Sequence, residues 1–218
     1  MLALDVLRPR LRARLAAPLP GFAAHATMAP FGRGDKPDVL SIDGKPDARR
    51  AATLVLLYPD DAGAPRFVLT VRQPTLRAHS GQVSLPGGSL DGGETPEQAA
   101  LREGWEEVGV PPEAPEVLGR LSPLYIPPSG FAVWPVVAAV GARPPFRSQE
   151  AEVAALVEVP LADLLADGVR QTTVRTARGG RFEVPHFALA GLEVWGATAM
   201  MLAELASIVG DALPGSSE

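Results

Sequence analysis

Apolar residues along this chain keep changing rhythm, and each change marks the edge of an element. Leu7, Leu11 and Leu15 fall at helical spacing after Pro9, which predicts a short amphipathic helix over residues 9–17. From Pro18 to Arg50 the pattern dissolves into Pro, Gly, Asp and Ala, read as an irregular lead-in with one strand around residues 39–42. Two runs rich in β-branched and aliphatic residues follow, 52–58 (ATLVLLY) and 66–71 (RFVLTV). Pro59-Asp60-Asp61-Ala62-Gly63 separates them, so a hairpin is expected.

Residues 83–85 read as a short strand running into Pro86-Gly87-Gly88. The clearest helix spans 96–108: Thr95 can cap it, Pro96 suits its first turn, Gln98 completes a capping box and Gly109 stops it. Strands are predicted at 117–121, 132–140 and 153–159, a short helix from Pro160 to Leu165, a strand at 182–189 and a terminal helix over 198–209. Strands on both sides of a few helices make the fold class α+β, layered, in one domain preceded by a lead-in packed on the core (1–49) and followed by a flexible tail (210–218).

Composition narrows the function. The chain has 218 residues, 46% of them hydrophobic and 21% charged, with a formal net charge of -5, which fits a globular domain and argues against a nucleic-acid partner. An anionic ligand would therefore have to meet local positive charge or a metal ion. Cysteine is absent, which excludes thiol nucleophiles and zinc-thiolate sites. Asp5, Arg8 and Arg10 interrupt any secretory apolar run near the N-terminus, and no long uncharged apolar stretch occurs. The expected setting is cytoplasmic, without membrane association.

The candidate chemistry lies on the 96–108 helix. Glu103, Glu106 and Glu107 stand at positions i, i+3 and i+4, one face of a helix. Three carboxylates there repel one another, yet they suit hard divalent cations that take oxygen ligands. On its own, a bare E-x-x-E-E reads first as a solvated acidic face. Upstream, Gly87-Gly88 and Gly92-Gly93 bracket a loop through which backbone can approach a ligand. Arg72 and Arg77 offer guanidinium forks suited to phosphate oxygens, or are two surface charges beside a loop. His79 stands between the same readings.

The stretch from Gly88 to Val110 reads G-x5-E-x7-R-E-x-x-E-E-x-G-V. This resembles the Nudix box, matched by Gly88, Glu94, Arg102, Glu103, Glu106, Glu107, Gly109 and Val110. Gly104 departs from it, since the family usually carries a larger residue there. A mid-helix glycine costs about 1 kcal/mol against alanine, so close packing of the backbone is expected at Gly104. Leu69-Thr70-x-Arg72, followed by Arg77, Gly81 and Leu85-Pro86-Gly87-Gly88, is similar to the motif of the coenzyme A pyrophosphatase branch, with departures at Gln73 and Leu85. Blocks around Ser129-Gly130-Phe131, Glu152-Val153 and Trp195-Gly196 extend the likeness over roughly residues 50–205.

The resemblance implies an α/β/α sandwich with a mixed sheet between helices, and hydrolysis of the diphosphate bridge of coenzyme A or a derivative with Mg2+ or Mn2+. Glu103, Glu106 and Glu107 would hold metal, with Glu106, Glu107 and an outside carboxylate, Glu152 with Glu150 as its rival, in catalysis. Arg72, Arg77, Gly81 and Ser129 would bind substrate, while Arg102 paired with Glu94, together with Gly88, would support the site. Two other readings remain: a Nudix enzyme for ADP-ribose, dinucleotides or oxidised nucleoside triphosphates, and a non-catalytic nucleotide-binding module. Oligomeric state is left open.

Overall fold

The structure, a computed structural model, describes residues 2–73, 82–177 and 179–213. In chain order the elements are α1 (Leu4–Leu15), α2 (Phe22–Ala26), α3 (Pro37–Leu40), β1 (Arg49–Pro59), β2 (Pro65–Arg72), β3 (Val83–Ser84), β4 (Gly87–Ser89), α4 (Pro96–Val108), β5 (Glu116–Arg120) and β6 (Leu124–Ile126). Then come β7 (Phe131–Ala139), β8 (Val153–Pro160), a 3-10 turn (Asp163–Leu165), β9 (Arg170–Ala177), β10 (Gly180–Leu189), β11 (Leu192–Trp195) and α5 (Gly196–Ala212).

The continuous apolar runs of β1 and β7 place both strands at the centre of the larger sheet, where both faces are covered. These two strands pair in parallel, Leu54 opposite Val136, whereas β2, β4, β5, β6 and β8 join antiparallel. The sheet is therefore mixed, with order β3-β2-β1-β7-β5 along its main path. Alternation along β1 sorts the core. Leu54, Leu56 and Tyr58 pack with Ala99, Ala100 and Val108 of α4, while Val55 and Leu57 join the leucines of α1 and the apolar face of α5. One helix on one face and two on the other make the α/β/α sandwich. A second sheet, β11-β10-β9, lies beside α5.

Several boundaries differ from the sequence reading. The first helix begins at Leu4 and takes Pro9 into its interior, because Leu4, Leu7, Leu11 and Leu15 are all buried and their packing outweighs the lost hydrogen bond. The strand expected around 39–42 is instead the short helix α3. Pro37 presets its first turn and Ser41 N–H closes it on Pro37 O at 2.9 Å. The helix expected from Pro160 shrinks to the 3-10 turn, since β8 runs on through Pro160. α5 continues three residues into the expected tail, where Ala212 is buried and Arg14 pairs with Asp211 at 2.9 Å. Among the described residues no helix is long and apolar enough to cross a membrane.

Candidate active site

α4 is fixed at both ends by local chemistry. Gln98 N–H donates to Thr95 Oγ1 at 3.3 Å and Thr95 N–H donates to Gln98 Oε1 at 2.9 Å, a complete capping box, and Gly109 ends the helix in the left-handed conformation. The helix rests on β1 through Ala99, Ala100 and Val108. At Gly104 a Cβ would lie 2.6 Å from Leu54 Cδ2, so the glycine lets helix and strand approach more closely than alanine would. That is the close packing expected from its departure from the family pattern.

This seating turns Glu103 and Glu107 toward the loop that carries β4. Gly88 sits against the Glu103 carboxylate, where a Cβ would be 2.3 Å from Oε1. Any larger side chain there would displace the Glu103 carboxylate from this position. Glu107 is 6% exposed, and its Oε2 accepts the Gly87 N–H at 3.2 Å. Burial pushes the Glu107 carboxyl up to about 7, against the pull of Gly87 N–H and the positive charge of Arg72. Burial raises Glu103 as well, opposed by its hydrogen bond from Arg102. Glu106 is the half-exposed member of the trio.

Arg102 organises the loop. Its Nε and Nη2 donate to Glu94 at 2.8 and 3.1 Å, Nη2 also reaches Ser89 O at 2.9 Å, and Nη1 contacts Glu103 at 2.9 Å and Glu106 at 3.3 Å. The pairing with Arg102 holds the Glu94 carboxyl below its ordinary value. A carboxylate fork of this kind is geometry as much as energy.

Arg72 and Glu152 approach from the other side. Arg72 ends β2 at an irregularity in its pairing with β8, and its Nε is buried without a hydrogen-bond partner. Its charge acts on Glu107. Gln73 N–H donates to Glu152 O at 2.9 Å, which ties the residue after Arg72 to the start of β8. The negative charge of Glu152 raises both Glu103 and Glu107, whereas Glu150 offers its carbonyl oxygen to Gln73 Nε2 at 2.9 Å.

Ser129 lies apart from this cluster. Its hydroxyl donates back to Ile126 O at 3.3 Å within the β6–β7 turn, and its carbonyl accepts from Arg49 Nη2. Arg77, Gly81 and His79 fall outside the described residues. Two contributors escaped the sequence reading: the Gly87 N–H that holds Glu107, and Leu54, which fills the space beneath Gly104. The Gly-Gly pair was the available signal for the first.

The donor set suits a hard divalent cation. Glu107 is a carboxylate forced out of water, with one hydrogen bond among the described residues and the like charges of Glu103 and Glu152 acting on it, a state that a cation relieves. Among the described residues no three acidic or histidine groups stand converged on one point. Arg102 draws Glu103 and Glu106 to itself while Gly87 holds Glu107, so loading metal requires these side chains to turn.

Comparison with known proteins agrees with this geometry. The NUDIX domain family model matches residues 48–177. The chain is 41% identical over 164 residues to the Nudix hydrolase NudL of Cronobacter sakazakii, covering 75% of this chain and 84% of the relative. It is 42% identical over 147 residues to NudL of Salmonella paratyphi B, covering 67% and 76%. Among solved structures, the Nudix hydrolase RenU of M. smegmatis superposes with a TM-score of 0.50 at 23% identity, over 74% of this chain and 86% of that one, a likeness of fold. With its box carried on α4 and its fold and relatives in agreement, the chain belongs to the Nudix family and is a hydrolase of nucleoside diphosphate derivatives.

Proposed function

We propose that the protein hydrolyses the diphosphate bridge of coenzyme A or its derivatives, releasing 3′,5′-ADP and 4′-phosphopantetheine. The observation that carries this reading is the position of Arg72. It belongs to the block that resembles the coenzyme A pyrophosphatase branch, its Nε is buried, and its positive charge acts on Glu107. A planar cation beside the carboxylates in a chain of net charge -5 is suited to a bridging diphosphate.

Glu103, Glu106 and Glu107 would hold Mg2+ or Mn2+, which supplies charge neutralisation at the phosphoryl oxygens and lowers the pKa of bound water. The chain's own groups do the rest. Arg72, with Arg77 as its expected companion, positions the diphosphate, and Arg102 keeps the Gly88 loop against α4 through Glu94. Glu152 takes the proton of the attacking water as oxygen joins phosphorus and the bridging P–O bond breaks. Gly88 leaves Glu103 room beside the loop.

Product analysis with coenzyme A in oxygen-18 water and Mg2+ tests the reading, and it also reports which product carries the new oxygen. Coenzyme A left intact while ADP-ribose is cleaved would remove the branch assignment and keep the hydrolase. The departures at Gln73 and Leu85 favour that second reading.

A further inference from the structure

A cavity of about 480 Å³ opens between the lead-in, the β6–β7 turn and the second sheet. Phe31, Phe182, Pro127 and Pro128 wall it, Arg33 and Lys36 stand among its lining, and none of the Nudix-box glutamates lines it. Its volume falls within the range of small-molecule sites.

Two features separate this cavity from ordinary surface relief. The aromatic rings belong to neither core cluster, so burying them in the interior is not their task. Phe31 also holds a left-handed backbone, φ 59°, which a bulky residue rarely adopts and which persists only where the surroundings impose it. Its ring stands nearly perpendicular to Phe182, centroids 5.6 Å apart, and to Trp195 at 6.3 Å. The Arg33 guanidinium lies 5.5 Å over the Phe31 ring, and Lys36 is exposed beside it. A flat π-faced group can pack on the rings and prolines, and an anion attached to it meets two cations in an otherwise acidic protein.

We propose that this cavity binds a nucleotide, with the base against Phe31 and Phe182 and a phosphate at Arg33 and Lys36. It rests on the coenzyme A reading only in taking that nucleotide to be the 3′,5′-ADP moiety. The tests are equilibrium binding of 3′,5′-ADP and of adenosine in EDTA, where no turnover occurs, to the wild type, Phe31→Asn and Lys36→Ala. Asparagine tolerates the left-handed backbone and removes the ring, and Lys36 is exposed, so its variant folds even if the first does not.

Phe31→Asn is expected to weaken both ligands tenfold or more, on the scale of a lost base-stacking contact. Lys36→Ala is expected to weaken 3′,5′-ADP alone. Wild-type affinities in both variants, or no binding of 3′,5′-ADP to the wild type, would overturn the proposal. Coenzyme A hydrolysis is followed in parallel. Cleavage with variant-insensitive binding sinks the cavity and leaves the substrate reading, while variant-sensitive binding without cleavage does the reverse.

Discussion

Arg102 grips both carboxylate oxygens of Glu94 with one edge of its guanidinium, Nε at 2.8 Å and Nη2 at 3.1 Å, and so fastens the glycine-rich loop to the helix that bears the carboxylates. Lysine keeps the charge but has no fork. Arg102→Lys is expected to lower kcat/KM about tenfold, a change equivalent to about 1.4 kcal/mol. Stability should fall by only about 1 kcal/mol, because both side chains are partly exposed and water screens the pair. Steady-state kinetics set beside thermal melts separates the two effects, and an unaltered kcat/KM would show that the loop needs no such anchor.

Glu103→Gln and Glu107→Gln each remove a carboxylate assigned to metal. Turnover should drop by several orders of magnitude at saturating Mg2+, while melts in EDTA should not fall. Without metal, the Glu107 carboxylate is buried, with one N–H donor among the described residues and two like charges acting on it, so neutralising it relieves repulsion. Near-normal hydrolysis by either variant would remove the metal-ligand assignment.

Arg72 acts on Glu107, which places it at the scissile bridge in our reading and not at the 3′-phosphate. Arg72→Ala should therefore slow coenzyme A and dephospho-coenzyme A by the same factor, on the order of tenfold to a hundredfold for a charge-assisted contact. A selective loss on coenzyme A alone would move this arginine to the 3′-phosphate.

Much of this was legible because the signals are local. The capping box, Pro96 and Gly109 specify α4 within fifteen residues of chain, and the apolar runs of β1 and β7 announce strands buried on both faces. Strands as short as β4 and β6, three residues each, have too little length to show a period. Charges on the other side of the site were harder still: nothing in sequence brings the charge of Arg72 to bear on Glu107, because β2 and α4 are separate elements that meet only through the fold. Glu204, on α5, likewise meets partners that lie far from it in sequence.

That glutamate is fully buried and fully satisfied. Oε1 accepts Gly21 N–H at 2.9 Å and the Ser122 hydroxyl at 2.6 Å, and Oε2 accepts Ser122 N–H at 2.9 Å and pairs with His25 Nε2 at 3.1 Å. Burial alone would raise its pKa, but His25, Ser122 and Gly21 outweigh it and hold the carboxyl below its ordinary value. A depressed folded pKa stabilises the protein above the unfolded value and loses that contribution as pH falls through the folded one. Glu204→Gln should cost about 3 kcal/mol near neutral pH. The gap to wild type should narrow in denaturant midpoints taken toward about pH 4 and below. A gap that stayed constant would mean the carboxylate charge contributes nothing.

Gly104 and Leu54 form a coupled pair. In the wild type, Gly104→Ala gains about 1 kcal/mol of helix propensity but drives a methyl into Leu54, and overpacking costs about 1–3 kcal/mol, so the variant should be neutral or less stable. With Leu54→Ala as background the collision is gone, and the same change should stabilise by about 1 kcal/mol. Chemical denaturation of the four proteins measures the cycle, and simple additivity would show that the contact is slack.

The Glu204 network also decides where this protein can be cut. It stitches the segment after α1, the loop after β5 and the final helix together across as many as 183 positions of sequence, through residues none of which belongs to the Nudix box. The family match ends at residue 177, ahead of β10, β11 and α5, and begins after α1 and α2. A fragment trimmed to those limits keeps every carboxylate of the Nudix box and loses α1 and α5, whose apolar residues share a core cluster with Val55, Leu57 and Val137. The helices that cover this face of the sheet, α1 and α5, therefore lie outside the stretch that carries the glutamates, and a cut that spares every carboxylate still strips the fold of that cover.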